Sequence, residues 1–209
     1  MNGVWGFRES CYNNLNEQNR RKMLSYAAAI AIIAASGVNA GSHRGKCSDL
    51  KIGEVSKFDQ SRIEGRWYEI ARDSDFADTS KSCVNEDIYV NFNGTLTTAK
   101  NAYTLENGWE QTLVNSILVK GTKGHYNIYG EDEDADREAD PDVYIVATDY
   151  ETWMIEYTCI DLIPGSLYFD SVSIKARERE LSPSLLETMD LLIVGAVPSY
   201  NNNALTYSH

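Results

Sequence analysis

Turn signals recur through the middle of the chain at intervals that leave room for one strand at a time. Asn93-Gly94 and Asn107-Gly108 are two-residue hairpin signals, and Gly121-Thr122-Lys123-Gly124 is a further turn. Between them, about Val84–Phe92, Thr95–Tyr103, Trp109–Lys120 and His125–Gly130 read as strands, with no helical period to interrupt them. Asp142–Tyr150 and Thr152–Ile160 form the next hairpin, and Leu167–Arg177 is the last long strand. Strands joined by turns at roughly 8–12-residue spacing make a meander, which leaves no exposed edge when it closes into an up-and-down barrel.

The strand set opens at Ile63-Glu64-Gly65-Arg66-Trp67-Tyr68-Glu69-Ile70-Ala71-Arg72, with the first strand over Gly65–Arg72. A glycine inside a strand pattern marks a close approach by another group, and Trp67 is large enough to plug the end of a small barrel. After the last strand, Ser182 is a helix N-cap with Pro183 at the first helical position, which sets a helix at about 182–194. Leu185, Leu186, Met189, Leu192 and Ile193 fall on one stripe of it, suited to lie on the outside of the barrel. Ala204–Tyr207 is a candidate ninth strand.

At the front, Arg20-Arg21-Lys22 precedes the apolar run Ala27–Ala35, and Val38-Asn39-Ala40 supplies a signal-peptidase site. Residues 1–40 are therefore expected to be a cleaved signal peptide, with a long n-region or an alternative start at Met23. Residues 41–61 follow as a polar arm and 62–209 as the barrel domain. The apolar run is short of a membrane span, and no other segment competes for that role. The expected location is secreted, with an organelle lumen as the alternative.

The net charge is −12, and removal of residues 1–40, which hold four basic and two acidic groups, takes it to −14. Such a surface repels phosphate backbones, so nucleic acid is an unsuitable partner. Glu131–Asp140 is an acidic run, but counted from Asp132 the EF-hand positions for Gly and Glu hold Arg137 and Val143. No metal or cofactor is implied. His43, His125 and His209 enter no catalytic arrangement, and the reading is of a non-enzyme. Asn93-Gly94-Thr95 is an N-glycosylation sequon.

Gly65-x-Trp67, Thr148-Asp149-Tyr150 and Arg177 ahead of the helix resemble, in order, the signatures of the lipocalin family. The contexts of Cys47, Cys83 and Cys159 are similar to those of its apolipoprotein D, insect bilin-binding and crustacyanin group, and the resemblance runs from about Gly45 to Ser208. It implies an all-β fold, an eight-stranded antiparallel barrel with a C-terminal helix packed outside and Arg177 lying across Trp67. It also implies a Cys47–Cys159 disulfide. The group's second bridge has no counterpart in the C-terminal tail, so Cys83 is expected as a free thiol or an intermolecular disulfide of a monomer or weak homo-oligomer.

The function implied is non-covalent carriage of a small hydrophobic or amphipathic molecule: a lipid, sterol, retinoid, carotenoid or bilin. Two other readings share these residues, a protein–protein interaction module and a carotenoid-modifying enzyme of a plastid lumen. Alternation from the inward Trp67 places Glu69 and Ala71 in the cavity. Alternation back from Arg177 adds Lys175, Ser173 and Ser171, leaving Val172, Ile174 and Ala176 for the helix. Ile155, Tyr157 and Ile88 complete the expected ligand-binding set of Glu69, Ile88, Ile155, Tyr157, Ser173 and Lys175. Two buried charges of opposite sign require pairing, so Lys175 and Glu69 are expected to lie close enough to interact, as a structural pair or as an anchor for the polar end of an amphipathic ligand.

Overall fold

The computed structural model describes residues 42–53, 55, 57–73, 80–118, 124–129, 141–201 and 204–207. The expected leader, its cleavage site, the start at Met23, His209 and the Glu131–Asp140 run lie outside these residues.

Eight strands form the barrel: β2 (Gly65–Asp73), β3 (Lys81–Val90), β4 (Thr95–Thr104), β5 (Gly108–Leu118), β6 (His125–Tyr129), β7 (Asp142–Thr148), β8 (Trp153–Ile163) and β9 (Leu167–Ala176). Each pairs antiparallel with its sequence neighbour, and β9 closes on β2. That closing seam runs from Tyr68↔Ala176 to Arg72↔Ser173. Nearer the other end, β1 (Ser42–Arg44) takes up the free side of β9 and β10 (Leu205–Tyr207) that of β2. β1 thus extends β9 where the seam stops, while β10 pairs with Ala71–Asp73 on the side of β2 opposite β9, past the β3 pairing that ends at Tyr68↔Asn85, so neither half-strand is left as a bare edge.

The Gly65–Trp67, Thr148–Tyr150 and Arg177 motifs meet at the closed end. A short 3-10 turn, Gln60–Ile63, crosses beneath the barrel, and the Trp67 indole N–H donates to the Ile63 carbonyl at 2.8 Å. The Arg177 guanidinium lies 3.7 Å over the Trp67 ring and donates to the carbonyls of Arg66 (3.1 Å) and Arg62 (3.0 Å). Gly65 has φ +102°, and a Cβ there would stand 3.1 Å from Arg177 Nη1, so the glycine answers both backbone geometry and space. Asp149 Oδ1 accepts the backbone N–H groups of Glu151, Thr152 and Trp153, which shapes the β7–β8 turn. That turn carries Tyr150, whose hydroxyl accepts from the Asp59 N–H at 3.0 Å.

Two cores result. The floor packs Trp67, Ile63, Ile88, Leu96, Ile145 and Met154 inside the barrel. Outside it, Met189 and Ile193 of helix α1 (Pro183–Ala196) share one buried cluster with Ile70, Ile155, Val172 and Ile174. Ser182 caps α1 through Leu185 N–H.

The Cys47–Cys159 disulfide ties the arm to β8. With a sequence separation of 112, chain entropy assigns it ~4–5 kcal/mol. Cys83 is also disulfide-bonded, which corrects the expected free or intermolecular thiol.

Candidate functional site

The barrel encloses a cavity of about 390 Å³. Its apolar wall comes from Val84, Ala102, Ile128 and Val143, with Trp67 below. Nine of its lining residues are ionisable, among them Glu69, Arg72, Glu86, Lys100, Glu156 and Lys175, so charge is as much a part of this wall as hydrocarbon.

Strand geometry explains which side chains arrive there. On β9, alternation turns Ser171, Ser173 and Lys175 to the cavity, while Ile174 and Ala176 join the outer core. On β8, Glu156 stands opposite Ser173 and Thr158 opposite Ser171, so these two share the inner face. On β3, Glu86 stands opposite Trp67 and across from Lys100 of β4.

Lys175 is 5% exposed, and its ammonium donates to Glu86 Oε1 and Glu156 Oε2. Burial alone would push this ammonium's pKa down, but the charges of Glu156 and Glu86 together outweigh burial and hold it above the ordinary lysine value. For Glu86, burial acts upward, and Lys175 with Lys100 overcomes it to hold the carboxyl below its usual range. Glu69 goes the other way. Burial raises its pKa, and Arg72, 3.3 Å away, and Lys175 offset this only in part.

Several expectations are corrected here. Glu69 is the direct cross-strand neighbour of Lys175 and feels its charge, as expected, but the ion pairs of Lys175 run to Glu86 and Glu156. A lysine side chain is long enough to reach past an opposed residue to the next strand, so adjacency does not choose the partner. Ile155 and Tyr157 lie on the outer face in the core beneath α1 and the arm, and the Tyr157 hydroxyl donates to the buried Asp170 at 2.8 Å. Ala71 also faces out, because a bulge between Glu69 and Ala71 inverts the alternation and sends Arg72 inward. Ile88 points inside but belongs to the floor, below the main cavity.

Sequence reasoning missed Glu86, Glu156, Arg72 and Lys100. The signal for Glu86 was present, since it lies two residues before Ile88 on the same strand and so on the same face. The two described histidines take no part in the cavity: His43 faces Asp170 at 3.1 Å, and His125 faces Asp142 at 2.7 Å while stacked on Tyr144.

Insecticyanin from the tobacco hornworm Manduca sexta superposes with a TM-score of 0.64 at 19% identity, covering 80% of this chain and 88% of that one. Apocrustacyanin C2 gives 0.63 at 15% identity, with 82% and 92% covered. Lobster apocrustacyanin A1 gives 0.57 at 15% identity, with 76% and 89% covered. At such identities these neighbours speak for the fold alone. No curated protein sequence matches the chain significantly. Residues 64–193 do match the sequence model of a family, and the chain accordingly belongs to the lipocalin / cytosolic fatty-acid binding protein family.

Proposed function

We propose that the protein carries a small amphipathic molecule, bound non-covalently inside the barrel. The observation that supports this reading is the cavity of about 390 Å³, within a closed barrel, whose wall interleaves apolar side chains with charged groups held in place by one another. Glu69, Ser173 and Lys175 contact the ligand in this reading, with Glu86 and Glu156 fixing the ammonium of Lys175. Lipids, sterols, retinoids, carotenoids and bilins are the candidate classes, and the charged wall favours members with a polar end. The reading includes export from the cell: the leader-like residues 1–40 motivate it, and the Cys47–Cys159 disulfide suits an oxidising compartment. Asn93 is the proposed glycan site, at the β3–β4 hairpin away from the β1 and β10 end. Among the described residues no helix is long and apolar enough to cross a membrane.

Native mass spectrometry of the protein from a eukaryotic secretion host, with an absorbance scan of the same preparation, tests the carrier reading. A stoichiometric small-molecule adduct that leaves on denaturation is the expected result. Failure to retain or take up any member of a panel of those ligand classes would sink the proposal.

A further inference from the structure

Below the layer formed by Lys175, Glu86 and Glu156 lies a second internal space, of about 50 Å³. Ile63, Ile88 and Leu96 of the floor line it, and Thr98, Ser116 and Tyr126 add polar groups. The two spaces share Lys175, Glu86, Glu156 and Lys100, with Ile128 and Val143, as lining residues, so a largely charged layer is their common partition. A volume of this size holds a few waters at roughly 10–15 Å³ each, or the slim end of a larger molecule.

Tyr126 marks the small chamber as more than a packing gap. The residue is 2% exposed, yet its hydroxyl has no hydrogen-bond partner among the described residues. Buried hydroxyls are ordinarily partnered, since leaving one unpaired forfeits the hydrogen bond it made with water. Phe58 packs edge-on against the Tyr126 ring at 6.1 Å. Burial, with the Glu156 charge adding to it, holds the phenol above the ordinary tyrosine range, so the group remains an O–H donor at neutral pH.

The partition also says what could enter. Its ammonium is matched to Glu86 and Glu156, and Lys100 stands across from Glu86, so fixed charges of both signs already face each other. An ionic head brought here would be stripped of water and would add a charge to a lining in which two carboxylates, Glu86 and Glu156, and two ammonium groups, Lys175 and Lys100, already cancel. A neutral oxygen would upset nothing and would give Tyr126 an acceptor. We propose that the small chamber is a subsite for a neutral, oxygen-bearing end of the carried molecule, an alcohol or carbonyl, which enters first and accepts a hydrogen bond from Tyr126. The inference rests on the carrier reading above.

The test compares the full chain with its Tyr126→Phe variant, which keeps the ring and removes only the hydroxyl. Each is titrated calorimetrically with 1-decanol, decane and decanoate. The wild type is expected to bind decanol roughly five- to tenfold more tightly than decane, the scale of one net hydrogen bond, and Tyr126→Phe to abolish that preference while leaving decane unchanged. If decanol keeps its advantage in the variant, the chamber holds only water and the subsite is refuted. If decanoate binds tightest in both proteins, the polar end sits elsewhere and the subsite is again refuted, with carriage intact. Binding of none of the three would refute the subsite for such chains, and the carrier reading then stands or falls on the ligand panel above.

Discussion

The two faces of the β8–β9 hairpin use the same backbone for opposite purposes. On the outer face, Ile155, Tyr157, Val172, Ile174 and Ala176 are sealed beneath α1 and the arm. On the inner face, Glu156, Thr158, Ser171, Ser173 and Lys175 line the cavity, one residue away from those partners at every step. Both faces are largely withdrawn from water. The outer one gains stability from apolar burial, about 25 cal/mol per Å². The inner one gives up part of that gain to keep charges desolvated, which is tolerable because Lys175 is paired with two carboxylates. The difference teaches that the helix side holds the fold and that the interior, outside the floor, is free to be specialised.

The largest expected effects fall where the interior does carry stability. Trp67→Ala should cost ~3–5 kcal/mol in chemical denaturation, because the plug leaves a cavity in a packed floor. An unchanged midpoint would show that the floor is not a core. Lys175→Met should cost a similar ~3–5 kcal/mol by leaving Glu86 and Glu156 buried without their cation. Adding Glu86→Gln and Glu156→Gln to it should recover most of that loss. If the triple variant is no better than the single one, the layer is not a balanced ion cluster and the contrast between the faces fails.

On the outer face, Ile193→Ala should lower stability by ~2–5 kcal/mol while ligand affinity, measured by titration below the unfolding range, stays the same. A matching loss of affinity would mean that the two faces are coupled. Arg177→Ala should cost less than Trp67→Ala, ~0.5–2 kcal/mol for a guanidinium over an indole.

Glu69→Gln should have the smallest effect, and its sign depends on pH. Burial raises the Glu69 pKa in the folded state, so this group favours folding fully only below its ordinary value of about 4.5, and that contribution is lost as pH rises through the raised value. The variant should therefore be more stable than wild type at pH 7 and lose that advantage on acidification, as read by melting temperature across pH. Glu86, held below the usual range, acts in the opposite sense: its contribution is present at neutral pH and is lost as pH falls through the lowered value.

Local chemistry made much of this legible from sequence. Asn93-Gly94 and Asn107-Gly108 forced the hairpins they predict, Ser182 capped the helix that Pro183 opens, and the Trp67 and Arg177 motifs marked the closed end. On β9, parity counted back from Arg177 brought Lys175 to the interior, because no irregularity intervenes between them. Parity on β8 was unreadable. Met154 of the inner face and Ile155 of the outer are both apolar and both buried, so hydrophobicity could not say which side was which. The β2 bulge that turns Ala71 outward leaves no mark in Ile70-Ala71-Arg72.

What the sequence by itself determined, then, is whatever depends on neighbours along the chain: turn sites, strand bounds and the helix cap, together with the family motifs at the floor. What only the tertiary structure decided is whatever depends on distance across the barrel. Lys175 chose Glu86 and Glu156, residues 89 and 19 positions away, over the glutamate directly opposite. Coulomb energy depends on where side-chain ends meet in a low-dielectric interior, and strand register and bulges set that meeting, not spacing in the chain.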